Sequence, residues 1–98
     1  MKPGFVYVLT NKNNTTLYVG VTSDLSGRIL QHRTKKHPKS FTARYGLYKL
    51  VYRESFSSIG EAIAREKQLK AGSRQKKLDL ISSSNPEWVD LYDSLDRD

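Results

Sequence analysis

Three groups of residues in this chain could do chemistry. A carboxylate, Glu66, interrupts an apolar stripe: residues 58–72, SIGEAIAREKQLKAG, place Ile59, Ala62, Ile63 and Leu69 at helical spacing, and Glu66 falls among them. A guanidinium and an imidazole, Arg28 and His32, lie one helical turn apart beside Leu25 and Ile29. Two phenols, Tyr7 and Tyr18, sit in short segments of alternating residues, and Tyr18 shares its strand face with Gly20, which leaves room for something to approach the sheet. Guanidinium groups hold anions, carboxylates hold hard cations, and imidazoles and phenols move protons. Taken singly, each has a packing explanation. Tyrosine is a common strand residue, His32 fits a filler role, Arg28 fits a solvated surface, and Glu66 is within reach of Arg65, Lys67 or Lys70.

The elements that must position these groups are legible from pattern. Residues 4–9 and 17–21 are rich in β-branched and aromatic residues and predict a hairpin across the turn formers of residues 10–16. On the first strand Phe5, Tyr7 and Leu9 share one face and Val6 and Val8 the other. Thr22, Ser23 and Asp24 offer caps for a helix over residues 25–36. Residues 37–46 read as a loop or short helix, and residues 47–55 as a third strand. Ser58 with Glu61 forms a capping box and Gly72 a stop for the Glu66 helix. Ser73 caps a further helix packing Leu78 and Ile81. Pro86 at a first helical position, with Trp88, Leu91 and Leu95 on one face, predicts a last helix. The expectation is an α+β fold: a small three-stranded antiparallel sheet flanked by helices, in the order β-β-α-(α)-β-α-α, in one domain over residues 1–98.

Composition narrows the function. The 98 residues contain no cysteine, so disulfides, thiolate metal sites and cysteine nucleophiles are excluded. No apolar run approaches the ~20 residues of a membrane span, and the N-terminus lacks the layout of a signal peptide, so a cytoplasmic protein away from membranes is expected. Lys and Arg number 17 against 10 Asp and Glu, net +7. Residues 85–98 hold five acids and one base, leaving residues 1–84 with 16 bases and five acids, net +11. This is a basic body with an acidic tail at about 87–98, and a basic body of this size suits a polyanion, nucleic acid first. Arg33, Lys35, Lys36, Lys39 and Arg44 cluster with Phe41 and Tyr45, and Lys67, Lys70 and Arg74 follow along the Glu66 helix. Contacts from such bases to phosphates position a backbone without reading its sequence.

The order of these segments resembles the GIY-YIG nuclease family, over about residues 4–92. FVYV supplies the first tyrosine, Tyr7; LYVGVT the second, Tyr18, with Gly20; GRILQH supplies Arg28 and His32; and AREKQLK supplies Glu66. The first triplet is Phe5-Val6-Tyr7 in place of Gly-Ile-Tyr, and the second, Tyr18-Val19-Gly20, changes only Ile to Val. The match is nearest to small stand-alone members similar to the nuclease module of the excinuclease C subunit. The resemblance implies a metal-dependent DNA endonuclease acting in repair or recombination. It implies Tyr7, Tyr18, Arg28, His32 and Glu66 as catalytic residues, with Glu66 holding one Mg²⁺ or Mn²⁺. Tyr7 would act as general base or orient the water, with His32 positioning or deprotonating it. Arg28 would hold the scissile phosphate, and Tyr18 would hydrogen-bond the phosphate or the water. The implied partner is DNA selected by structure rather than sequence, with a protein partner for targeting. The alternative is a nucleic-acid-binding module that keeps the fold without catalysis. Many members carry an asparagine near the end of the site; Asn85 is the downstream candidate, and spacing alone assigns it no role.

Overall fold

The computed structural model describes residues 2–34 and 40–95. Three strands, β1 (Gly4–Thr10), β2 (Leu17–Thr22) and β3 (Lys49–Phe56), form an antiparallel sheet of order β2-β1-β3. Helices α1 (Leu25–Arg33) and α2 (Phe41–Arg44) lie between β2 and β3, and α3 (Ile59–Ala71) and α4 (Arg74–Ser84) follow β3. The α+β order is the one the sequence predicts.

Alternation along β1 divides the interior in two. Val6 and Val8 join Val19, Val51, Tyr52, Ala62 of α3 and Ile81 of α4 on one face. Tyr7 and Leu9 join Leu25 and Ile29 of α1, Leu47, Leu50 and Leu95 on the other. Val51 and Tyr52 are adjacent yet pack in the same cluster because the β1–β3 register shifts between Val8 and Leu9, which pair with Tyr52 and Leu50.

Local signals set the helix ends. Asp24, Ser58 and Ser73 accept at their helices' N-termini from the backbone N–H groups of Gly27, Glu61 and Lys76. Of the helix predicted over residues 25–36, α1 spans Leu25–Arg33 with Thr34 as its cap, the Thr34 hydroxyl turning back onto the Leu30 carbonyl at 3.0 Å; residues 35 and 36 lie outside the described residues. Of the stripe expected on α3, Ala62 is fully buried, whereas Ile63 is exposed.

The last predicted helix does not form. Residues 85–91 follow an irregular path that ends in a 3₁₀ turn over Tyr92–Ser94. Trp88 takes a left-handed backbone, φ 54°. The backbone spends its hydrogen bonds elsewhere: Asn85 Oδ1 accepts from Val89 N, Leu91 N donates to Leu50 O, and Asp90 Oδ1 accepts from Leu50 N. The segment therefore straps the outer edge of β3. Trp88 packs with the Val6 cluster and Leu91 and Leu95 with the Tyr7 cluster, so the three do not share a face.

Asn85 is the clip of this strap. It is buried, and its Nδ2 donates to Val51 O at the bulge, 3.1 Å, and to Val89 O, 2.9 Å. Asn85→Ala leaves a buried carbonyl without its donor and is expected to cost about 2–3 kcal/mol. Chemical denaturation measures that loss; a variant within ~0.5 kcal/mol of the parent would show that the clip is dispensable.

Candidate functional site

Tyr7 lies on the central strand directly opposite Gly20. A Cβ at position 20 would sit 2.3 Å from Tyr7 Cζ and 2.4 Å from its hydroxyl oxygen. The space above Gly20 is thus taken by the Tyr7 ring itself and is not left open for a visitor, as the sequence had suggested. Tyr18, paired across from Leu9, comes to 6.3 Å from Tyr7 between ring centroids. His32, from α1, stands 5.9 Å from the Tyr7 ring and 5.8 Å, edge-on, from Tyr18. Three aromatic groups from three elements meet on one face.

A hydrogen-bonded chain runs through them. Tyr7 Oη lies 3.1 Å from His32 Nε2, and His32 Nδ1 lies 2.8 Å from the hydroxyl of buried Thr42, at the start of α2. A protonated Tyr7 donates to Nε2, and Nδ1–H then donates to Thr42 Oγ1. Thr42 Oγ1 is 3.3 Å from Ser40 Oγ, the side chain that caps α2. The sequence pattern did not flag Thr42; its one signal is the Ser40 cap, which starts a helical turn and turns Thr42 inward.

Burial, above all, raises the Tyr7 phenol well above the ordinary value near 10, with the nearby Tyr18 adding to the rise. The Arg28 guanidinium opposes this through its charge and by hydrogen bonding to the phenol, and the Glu66 carboxylate raises it further. Exposed Arg28 and half-buried Glu66 are therefore both electrostatic neighbours of the Tyr7 hydroxyl. Glu66 comes from α3, which packs on the Val6 face, yet its charge is felt at Tyr7 on the other. The Glu66 side chain is 15% exposed and pairs with Lys70 Nζ at 3.2 Å.

On β3 a second phenol is held in an ionic network. Arg65 grips Glu54 with Nε and Nη2 at 2.9 and 3.1 Å, and the Tyr52 hydroxyl donates to Glu54 Oε2. Burial works against the Glu54 charge, but hydrogen bonds from Arg65 and Tyr52 outweigh it and hold the carboxyl below its usual value. Burial and the Glu54 carboxylate push Tyr52 up to about 12. Both Tyr7 and Tyr52 favour the neutral phenol in the folded chain, so their contribution to stability is full below about pH 10 and is lost above it. Melting temperature is expected to fall above about pH 10, and to fall less in a Tyr7→Phe/Tyr52→Phe double variant. Parallel alkaline profiles for the two proteins would sink this.

The basic residues singled out in the sequence separate into two groups. Arg33 pairs with Asp90 and lies 4.2 Å over the Tyr92 ring, so it is committed to the C-terminal strap. Arg44 is exposed beside Tyr45. Lys35, Lys36 and Lys39 lie outside the described residues. Lys67, Lys70 and Arg74 are exposed on α3 and α4, and Arg74 donates to Thr15 O at 2.8 Å. Among the described residues no helix is long and apolar enough to cross a membrane, and no three His, Asp or Glu side chains gather as a ready metal site.

Comparison with known proteins shows which proteins this chain resembles. The family model described as the GIY-YIG catalytic domain matches residues 3–79. A UPF0213 protein of Staphylococcus haemolyticus is 41% identical over 81 residues, 83% of this chain and 96% of that protein. One from Streptococcus agalactiae is 39% identical over 85 residues, 87% of this chain and 94% of its own. The solution NMR structure of a UPF0213 protein from Bacillus halodurans has a TM-score of 0.56 and 32% identity, covering 88% of this chain and 89% of that one.

Proposed function

This chain belongs to the GIY-YIG family, and from that premise we propose that it is a divalent-cation-dependent endonuclease cutting DNA phosphodiester bonds in repair or recombination. The observation that carries the reading is the meeting of Tyr7, Tyr18 and His32 within 6.3 Å of one another, with Arg28 and Glu66 both acting on the Tyr7 hydroxyl. Uncatalysed phosphodiester hydrolysis is extremely slow, so the site must bind the anion, take a proton from water and offset developing charge.

In this proposal Arg28 holds the scissile phosphate, its planar fork matching two oxygens. Tyr18 hydrogen-bonds the phosphate or the attacking water. Tyr7 faces the harder task, because a phenol is neutral at pH 7 and burial moves this one further from ionising. His32 Nε2, 3.1 Å away, is placed to take that proton, and Arg28 stabilises the phenolate left behind. The phenolate then takes a proton from water as the water oxygen attacks phosphorus, the bond from phosphorus to the departing sugar oxygen breaks, and that oxygen leaves with a proton from solvent. Thr42 on Nδ1 keeps the Nε2 lone pair aimed at Tyr7.

Glu66 would hold one Mg²⁺ or Mn²⁺. A single half-buried carboxylate suits a hard cation that keeps most of its waters and takes further oxygens from phosphate. Such an ion, when bound, offsets charge on the phosphate oxygens. DNA is proposed to be chosen by structure rather than base sequence, since the exposed bases reach phosphates.

The test is cleavage of plasmid and branched DNA by the purified chain with Mg²⁺ or Mn²⁺. Arg28→Ala is expected to slow cutting by about 10²–10³, the loss seen when one charge-stabilising donor is removed. Cutting that persists unchanged in the variant would overturn the reading.

A further inference from the structure

The rings that begin at Tyr18 continue outward. Tyr18 stacks on Phe41 at 6.3 Å between centroids and 30° between planes, and Phe41 lies 4.7 Å from Tyr45. Phe41 and Tyr45 are four residues apart, so the single turn of α2 turns them to the same side. They are 48% and 51% exposed. Aromatics that served only to hold α2 in place would bury most of that surface. The turn already has other anchors: the Ser40 cap, the Thr42–His32 hydrogen bond, and Leu47 N donating to Thr42 O at 2.8 Å. The outer rings are therefore apolar surface left in water directly beside the candidate site.

We propose that Phe41 and Tyr45 form a stacking site for an unpaired nucleobase of the DNA strand whose phosphate lies at Arg28. The inference rests on the nuclease reading and adds to it where one base of the substrate goes. Three observations select this occupant. The platform is continuous, ring by ring, with Tyr18 and so with Tyr7 and His32. Its rim is cationic: the Arg44 guanidinium lies 6.0 Å from the Tyr45 ring centroid and is exposed, able to meet a backbone phosphate. The surrounding body carries net +11 over residues 1–84, which favours a polyanion over an apolar protein partner. Flat π faces flanked by cations take bases of any identity, but only bases that are out of a duplex. A strand end, loop, flap or branch offers such a base and an intact duplex does not.

The test reads binding, without divalent cation, so that cutting plays no part. A short single-stranded oligonucleotide is scanned by replacing one nucleotide at a time with an abasic unit, and by placing 2-aminopurine at each position. In the parent chain, affinity is expected to fall about tenfold at one or two adjacent positions, with 2-aminopurine quenched there. In Phe41→Leu, which keeps apolar bulk, the scan should be flat at the lower affinity. Phe41→Trp should restore both the dip and the quenching. Thermal melting of each variant shows that folding is kept. A flat scan in the parent chain, with binding that still weakens as salt rises, would overturn the stacking site and leave the nuclease reading standing. Absence of any salt-sensitive binding would overturn both. Self-association that is lost in Phe41→Leu, with a flat scan, would assign the rings to a second copy instead and overturn the proposal.

Discussion

Gly20→Ala is expected to melt about 10–20 °C below the parent chain and to lose at least 10²-fold in DNA cleavage. The added Cβ would stand 2.3 Å from Tyr7 Cζ, closer than real Cβ contacts come. The ring has nowhere to go: Tyr7 is fully buried between α1 and the sheet and tied to His32. Overpacking of this kind costs about 1–3 kcal/mol, and each kcal/mol lowers the midpoint of a domain this small by about 4–8 °C. The loss of cutting has a separate cause, the displaced phenol, since small misplacement at a reacting centre costs about 10². A double-mutant cycle separates the clash from any general intolerance of strand β2. In a Tyr7→Leu background the obstructing ring atoms are gone, and Gly20→Ala should then cost little. An equal cost in both backgrounds would refute the clash.

The second large effect is expected at Glu66. Glu66→Gln keeps shape and removes charge, and should reduce cleavage by about 10³, since a bound cation contributes several kcal/mol of charge stabilisation and each 1.36 kcal/mol is tenfold. Binding of DNA should be nearly unchanged. Stability should be nearly unchanged as well, because the Lys70 partner is 54% exposed and such i,i+4 pairs contribute little. Titration with Mn²⁺, followed by NMR line broadening, should perturb signals around Glu66 in the parent and not in the variant. Full activity in Glu66→Gln would remove the carboxylate from the mechanism.

What could be seen beforehand follows the range of each interaction. Period-two alternation divided Tyr7 and Leu9 from Val6 and Val8, because a strand's faces are set by its own backbone; that the first pair meets α1 and the second α3 is known only from the structure. The Ser58 and Ser73 caps are contacts over three residues, visible in any window. The failures are longer in range. The segment after Asn85 looked helical because Pro86, Trp88, Leu91 and Leu95 repeat suitably. Its hydrogen bonds go to Leu50, about forty residues back, which no local pattern reports. Arg33 resembled a free phosphate-binding base, and only the folded chain brings Asp90 and Tyr92 onto it. Thr42 and His32 are ten residues apart across a connection, outside any helical or strand period. For Glu66 the break in the apolar stripe was visible in the sequence, whereas its influence on Tyr7 needed three dimensions.

The even and odd positions of β1 serve different halves of the molecule, which has a consequence for how the strand can vary over generations. Its spelling is free within wide limits, as Phe5-Val6-Tyr7 in place of Gly-Ile-Tyr already illustrates. Its parity is not. Deleting Val6 would exchange inner for outer along the upstream half and leave Phe5 facing the wrong helix, whereas a swap of letters at constant length leaves every neighbour in place. Drift in this strand should therefore accumulate as substitutions and almost never as gaps.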